Sequence, residues 1–351
     1  LENLEKLGAK LRDQDLDKNL AHALIGRFVY LRYLRDRGFL SERKLAKWEL
    51  SPDQIFSHQA TLTAFRSLNE HLDDATDGLN GAIFPFNHAL IKQQHLRTVT
   101  SAFMGDDVVS GQAVFDFAAY DFSYIPIETL SVVYEQFLHA PADGKGKSEG
   151  RKQGAYYTPI PLVNLMIAEL DSRLPLMPGM KVIDPSAGSG AFLVQTYRML
   201  IERATRANGG DRLKPSQLRA ILTSQIFGVD RDQDACRIAE MSLLVTLLDY
   251  VDPPDLEGKY HNFALPTLNG KNIFEADFFD HESLWAEKVA SDDLEGGFDW
   301  VIGNPPWKEI KKPFDDDRDH FALSWMSDKD APPTGGNQLA EAFVWKAQPL
   351  L

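Results

Sequence analysis

The first 140 residues repeat apolar positions at helical spacing. In "NLAHALIGRFVYLRYLRDRG" (residues 19–38) such positions recur along one long run that closes on a glycine, which predicts a helix. "SPDQIFSHQATLTAFRSLNEHL" (51–72) opens with Ser51 at a capping position and Pro52 at the first helical position, which predicts another. "IPIETLSVVYEQFLHA" (125–140) reads as a third amphipathic helix. "PADGKGKSEGRKQG" (141–154) then has a single Ala as its only apolar side chain and is rich in Gly, Lys and Ser, as flexible linkers are. Beyond it the period changes. "MKVIDP", "QIFGVD", "NIFEADFF" and "FDWVIGN" read as strands, while "AFLVQTYRMLIERATRA" and "DACRIAEMSLLVTLLDYV" read as helices. Alternation of this kind predicts a doubly wound, mostly parallel α/β sheet, in which ligands bind at the carboxyl ends of the strands. The expected organisation is a helical domain over 1–140, a linker over 141–153 and an α/β domain over 154–351.

Composition narrows the class. The 351 residues suffice for two domains, no apolar run approaches a membrane span, and no secretory signal opens the chain, so a cytoplasmic protein is expected. One cysteine excludes an internal disulfide, and the nine histidines show no metal-ligand spacing, so no metal is expected. The net charge of −14 is not that of a protein that simply coats nucleic acid, although a local basic cleft is compatible with it. Residues 1–50 hold eleven Lys/Arg against eight Asp/Glu, a net of +3, so the remainder carries −17. Arg27, Arg32, Arg35 and Arg37 either form a basic edge that tracks a nucleic-acid backbone or are solvated arginines of an amphipathic helix, and the pattern favours the second.

Candidate chemistry sits at the strand ends. In "VIDPSAGSGAFL" a strand ends at Asp184, a loop with Ala187, Gly188 and Gly190 follows, and a helix begins. The glycines let a ligand approach the backbone, and the helix N-terminus favours an anion. Leu193 stands where a dinucleotide fingerprint needs Gly or Ala, so a small carboxylate such as that of S-adenosyl-L-methionine fits better than a pyrophosphate. Asp230 in "IFGVDRD" can accept from a ribose diol, with "ANGGDRLKPSQ" read as an insertion ahead of it, or it can be a surface strand exit. Asp277 and Phe278 in "NIFEADFFD" can hold and stack on an adenine, or be a capping acid beside core rings. In "FDWVIGNPPW" the prolines end the ladder, and the stiff exit either aims the Asn304 carboxamide, the free carbonyls of Pro305 and Pro306, and the Trp307 ring at a ligand, or is a rigid turn with a packed Trp.

"GAYYTP", "DPSAGSGAFL", "GVDRD", "EADFF" and "NPPW", in that order, resemble the adenine-specific DNA methyltransferases of restriction-modification systems, in the gamma-type motif arrangement. The resemblance is close over 154–307, and the helical leader with "VYEQFL" is similar to that of type I and type IIG modification enzymes. It implies a Rossmann-like methyltransferase sheet and S-adenosyl-L-methionine as cofactor. Tyr157 and Thr158 would touch the cofactor's methionine end, and Asp184, Ala187, Gly188 and Gly190 its amino-acid moiety. Asp230 would hold the ribose, Asp277 and Phe278 the adenine, and Asn304, Pro305, Pro306 and Trp307 would form the catalytic loop. The family usually has Tyr or Phe where Trp307 stands, and the indole keeps the stacking surface. The Asn304 oxygen and the Pro305 carbonyl would accept the two hydrogens of an adenine amino group whose base has left the duplex. Implied partners are double-stranded DNA and specificity or restriction subunits outside this chain. Rival readings keep the cofactor but methylate RNA or protein glutamine, or make the chain a non-catalytic cofactor- or DNA-binding subunit. "PDLEGK" is too compact for a nuclease core, so any nuclease is expected elsewhere. The resemblance also implies further strands beyond 307 and a target-recognition domain, neither visible here. The chain is therefore expected to be a fragment whose edge beside residues 300–302 is either open or covered by a loop or a neighbouring molecule.

Overall fold

The computed structural model describes residues 2–74, 87–106, 121–127, 158–253, 264–291 and 296–351 except 313 and 315, and single positions 78, 79, 83, 84, 129, 131, 133, 137 and 294. The linker over 141–153 and Tyr157 lie outside the described residues. Two compact units emerge: Leu1–Leu138 with Val251–Pro266, and His139–Tyr250 with Thr267–Leu351.

The first unit is helical. Its α1 (Glu2–Asp13), α2 (Lys18–Asp36), α3 (Glu42–Lys47), α4 (Asp53–Phe56), α5 (Leu62–Leu72) and α6 (Gln93–Phe103) bury Leu24, Ile25, Phe28, Phe65, Leu68, Leu96 and Val99. Asp17 caps α2 by accepting from the N–H groups of Asn19 and Leu20. The helix expected to run unbroken from Ser51 is two helices. Ser57 Oγ donates back to the Asp53 carbonyl at 2.6 Å, and Thr61 caps a new start by accepting the Ala64 N–H, so the chain turns between them. Ser51 caps nothing with its side chain; its own N–H donates to Gln54 Oε1. Within 125–140 the described Ile127, Thr129, Ser131, Val133 and Phe137 are helical.

The four arginines divide between the expectations and neither of them: Arg35 is exposed, as a solvated arginine should be, Arg32 and Arg37 are half-buried, and Arg27 is buried. Arg27 is 2 % exposed and donates to the Phe84 carbonyl, and burial draws its pKa down to about 10. Arg32 forks onto Asp36 at 2.7 Å, while Arg35 and Arg37 lie over the Phe56 and Tyr33 rings. The helix is enclosed on most of its circumference, so Arg27 and Arg32 are spent on partners inside the unit.

The second unit is the expected α/β sheet. Strands β1 (Val182–Asp184), β2 (Ile226–Asp230), β3 (Ile273–Glu275) and β4 (Trp300–Val301) run parallel in the order β3-β2-β1-β4. The helices of this unit are α7 (Ile160–Arg173), α8 (Ala191–Ala207), α9 (Pro215–Gln225), α10 (Gln233–Asp249), α11 (Leu284–Val289), α12 (Asp319–Met326) and α13 (Leu339–Ala347). The stretch read as an insertion leads into α9, which buries Leu218, Ile221 and Leu222. Phe227, Val229, Phe274, Phe278, Phe279, Trp285, Phe298 and Phe343 form a largely aromatic core. Gly190 begins α8 with φ +83°, and a Cβ there would stand 3.1 Å from Ala239 of α10, so these two helices approach closely. β4 lies at the edge of the sheet, and just ahead of it the Phe298 N–H donates to the Leu350 carbonyl at 2.7 Å. Among the described residues no helix is long and apolar enough to cross a membrane.

Candidate active site at the strand ends

The β1 exit is built around one buried carboxylate. Asp184 is 1 % exposed, and its Oδ1 accepts the Ser186 N–H at 2.9 Å. Oδ2 is buried with no hydrogen-bond partner. Burial pushes the carboxyl up to about 7, and the Asp230 charge adds to the shift. A Cβ on Gly303 would stand 2.3 Å from Asp184 Oδ1, so the backbone before Asn304 lies directly against this carboxylate. Gly303 was not singled out in the sequence, because its contact lies between strands far apart in the chain.

The glycine loop meets the β2 exit. Gly188, at φ +52° with open space where a Cβ would point, donates its N–H to Asp230 Oδ2 at 2.8 Å. Asp230 Oδ1 accepts the Asp232 N–H at 2.9 Å, and the Ala187 N–H donates to the Val229 carbonyl. Burial raises the Asp230 pKa, against the pull of those hydrogen bonds. Asp277 lies two residues beyond β3, not at its end as expected, because the strand closes at Glu275. Its Oδ1 accepts the Phe279 N–H at 2.9 Å, and burial raises its pKa while Arg231 and Arg318 oppose the rise. Phe278 is 4 % exposed and stacks on Phe343 at 5.2 Å, so at most its edge is available to a base.

Beyond β4 a short chain of hydrogen bonds aims the carboxamide. An indole N–H only donates, so the Trp307 Nε1 contact at 3.0 Å identifies the Asn304 atom it meets as Oδ1. Nδ2 then faces the buried Thr158 and donates to its hydroxyl at 3.1 Å. Trp307 is 66 % exposed, with most of its ring free to stack. Asn304 Oδ1 keeps one lone pair for a further donor, and Pro305 and Pro306 keep the loop stiff.

A cofactor carrying an amino acid and a nucleoside fits this donor set. Asp184 offers an unpartnered buried acceptor to a cation. The Gly188 cradle is open at the start of a helix, and Asp230 and Asp277 provide further acceptors. Among the described residues no group of three His, Cys, Asp or Glu could hold a metal ion.

The parallel sheet order and the placing of these residues at its carboxyl ends are those of a Rossmann-like fold. The chain belongs to the N-6 DNA methylase family, whose model matches residues 126–344, and the family uses a methyl-donor cofactor. It is 29 % identical over 184 residues to the type I restriction enzyme HindI methylase subunit of Haemophilus influenzae, covering 51 % of this chain and 34 % of that protein. It is 23 % identical over 326 residues to the type II restriction enzyme and methyltransferase RM.Eco57I of Escherichia coli, covering 82 % and 30 %. The type IIL restriction-modification enzyme MmeI, solved in complex with DNA, shares the fold at a TM-score of 0.56 and 17 % identity, covering 99 % of this chain and 48 % of MmeI. The chain matches about a third or less of the length of its curated relatives.

Proposed function

We propose that this chain is the catalytic part of a cytoplasmic, site-specific DNA adenine methyltransferase of a restriction-modification or related phage-defence system. The substrate is the exocyclic 6-amino group of an adenine flipped out of double-stranded DNA, and specificity or restriction subunits are the further partners. The observation that carries this reading is the Asn304 carboxamide. It is held between Thr158 and Trp307 at a parallel-strand exit, on a backbone that lies against Asp184.

Bound S-adenosyl-L-methionine would supply an electrophilic methyl group. Asp184, Ala187, Gly188 and Gly190 would hold its amino-acid end, with Tyr157 and Thr158 beside them. Asp230 would take the ribose hydroxyls, and Asp277 the adenine amino group with the Phe278 edge beside it. An adenine amino group is a poor nucleophile because its lone pair is delocalised into the ring. Asn304 Oδ1 accepts one of its hydrogens and the Pro305 carbonyl the other, which pulls the nitrogen toward tetrahedral geometry and localises the lone pair. Both acceptors are fixed dipoles on a stiff loop and need no reorganisation when the base arrives. Trp307 gives the flipped base a stacking face, worth about 1–3 kcal/mol.

The test uses the full polypeptide that carries this sequence. Titration with S-adenosyl-L-methionine should show binding without added metal, and methyl-labelled cofactor should label duplex DNA. Label entering only RNA or protein would overturn the substrate, and binding without transfer to anything would make the chain a non-catalytic subunit.

A further inference from the structure

Directly after Trp307 stands Lys308, and directly after Asp230 stands Arg231. Their side chains converge on one carboxylate. Asp319, the first residue of α12, is 3 % exposed and takes Lys308 Nζ at 2.8 Å on Oδ1 and 2.6 Å on Oδ2. Its Oδ1 also accepts Arg231 Nη1 at 3.0 Å. The Lys308 and Arg231 side chains are 10 % and 15 % exposed, and cations so covered persist only where they are paired. Around this centre Arg318 forks onto Asp316 and donates to the Arg231 carbonyl, while Asp316 Oδ2 stands 3.9 Å from Arg231. The backbone of Lys308 is pinned as well: its carbonyl accepts the Leu339 N–H at 2.9 Å, and the Ile310 N–H donates to Asn337.

We infer that Asp319 is a positioning residue that ties the cofactor side of the site to the target-base loop, an inference that rests on the methyl-transfer reading above. The loop with Asn304 is anchored by Thr158 at one end and by the Lys308–Asp319 pair at the other. The turn that carries Asp230 is anchored through Arg231 to the same carboxylate. Donor side and acceptor side thus share one fixed point, and the distance between them is set by a buried ion cluster. Misplacement of reacting groups by about 1 Å can cost about a hundredfold in rate, so a shared anchor has leverage on turnover.

The two arms should separate in kinetics. In the full polypeptide, Lys308→Met should lower kcat at saturating substrates about tenfold or more and leave the dissociation constant for S-adenosyl-L-methionine within about twofold. Arg231→Met should weaken cofactor binding about fivefold or more with a smaller change in kcat. Asp319→Asn should do both, and adding Lys308→Met to it should lower kcat little further, because the interaction is already gone. Hydrogen exchange in Asp319→Asn should rise in both 230–234 and 303–310. The inference is overturned if Asp319→Asn keeps kcat and cofactor affinity within about twofold, or if all three variants lose both in proportion to their melting temperatures, as a purely structural role requires. Should Asp319→Asn fail to fold, Asp319→Glu takes its place, with the paired loss supporting the tie and unchanged constants overturning it. An unaltered protein that transfers no methyl group would refute the methyl-transfer reading and the positioning role with it. Exchange keeps the failures apart, since unchanged protection at both segments in Asp319→Asn would overturn the tie itself.

Discussion

Replacing Asp184 by Asn should stabilise the protein in the absence of cofactor while weakening the site, and the pH dependence of that gain is diagnostic. The carboxyl is buried with Oδ2 unpartnered, Gly303 lies against it, and burial pushes it from 3.8 up to about 7. A rise of about three units penalises the charged form by on the order of 4 kcal/mol. A carboxyl raised in this way binds its proton more tightly in the folded state than in the unfolded one. Its contribution is therefore most favourable below about pH 4, is lost as pH climbs from about 4 to about 7, and carries the whole penalty above that. The amide has no charge at any of these pH values and keeps an oxygen for the Ser186 N–H. It also leaves a buried NH2 donor unpaired, which costs roughly 1–3 kcal/mol. A net gain of about 1–3 kcal/mol at pH 8 should remain, or several degrees of melting temperature at roughly 2–4 °C per kcal/mol. At pH 5 the native carboxyl is protonated, and the gain should vanish or reverse. Calorimetric unfolding of both proteins at pH 5 and pH 8, without cofactor, measures it. On the proposed placement of S-adenosyl-L-methionine, the same variant should bind it more weakly, because the buried carboxylate that would meet its amino-acid end is gone. A variant less stable than the native protein at pH 8, or a gain that is the same at both pH values, would refute the assignment of a strained, buried carboxylate.

Asp230→Ala removes the acceptor of the Gly188 and Asp232 N–H groups and should weaken cofactor binding by roughly 1.5–3 kcal/mol on titration calorimetry; unchanged affinity would count against its role. Gly303→Ala drives a methyl group to 2.3 Å from Asp184 Oδ1, and should destabilise the fold by about 1–3 kcal/mol in denaturant unfolding and lower transfer with it. Trp307→Phe keeps a stacking face but loses the N–H donated to Asn304, so kcat should fall by the worth of one hydrogen bond, about 1 kcal/mol. Trp307→Ala should lose roughly 1–3 kcal/mol more on duplex substrate, and equal losses in the two variants would show that the ring does not stack.

Much of the α/β unit was legible because its signals are local. The helix Ala191–Ala207 starts and stops where the glycine loop and the apolar spacing say it should, and the four strands announce themselves as short apolar runs closed by acidic residues or Asn-Pro-Pro. Helix Pro215–Gln225 was hidden behind its glycine- and charge-rich approach, although Leu218, Ile221 and Leu222 carry a buried face. The break between Asp53–Phe56 and Leu62–Leu72 comes from side-chain hydrogen bonds of Ser57 and Thr61 that compete with helix continuation, which apolar spacing does not reveal. Arg27 was misread because spacing along one helix says nothing of what packs on its far side. In the site, the acidic strand ends and the Asn304 loop were readable as motifs. The pressure of Gly303 on Asp184 and the convergence of Lys308 and Arg231 on Asp319 were not, since each joins segments distant in the chain.

The most direct measurement of the central claim is the chemical identity of the methylated product. The full polypeptide and its Asn304→Ala variant are incubated with duplex DNA and S-adenosyl-L-methionine bearing a deuterated methyl group, and the DNA is digested to nucleosides for mass spectrometry. The account predicts deuterated N6-methyladenine with the native protein and none above background with the variant, while the variant keeps its fold and most of its cofactor affinity. Label on cytosine, label confined to RNA or protein, or undiminished N6-methyladenine from Asn304→Ala would contradict it.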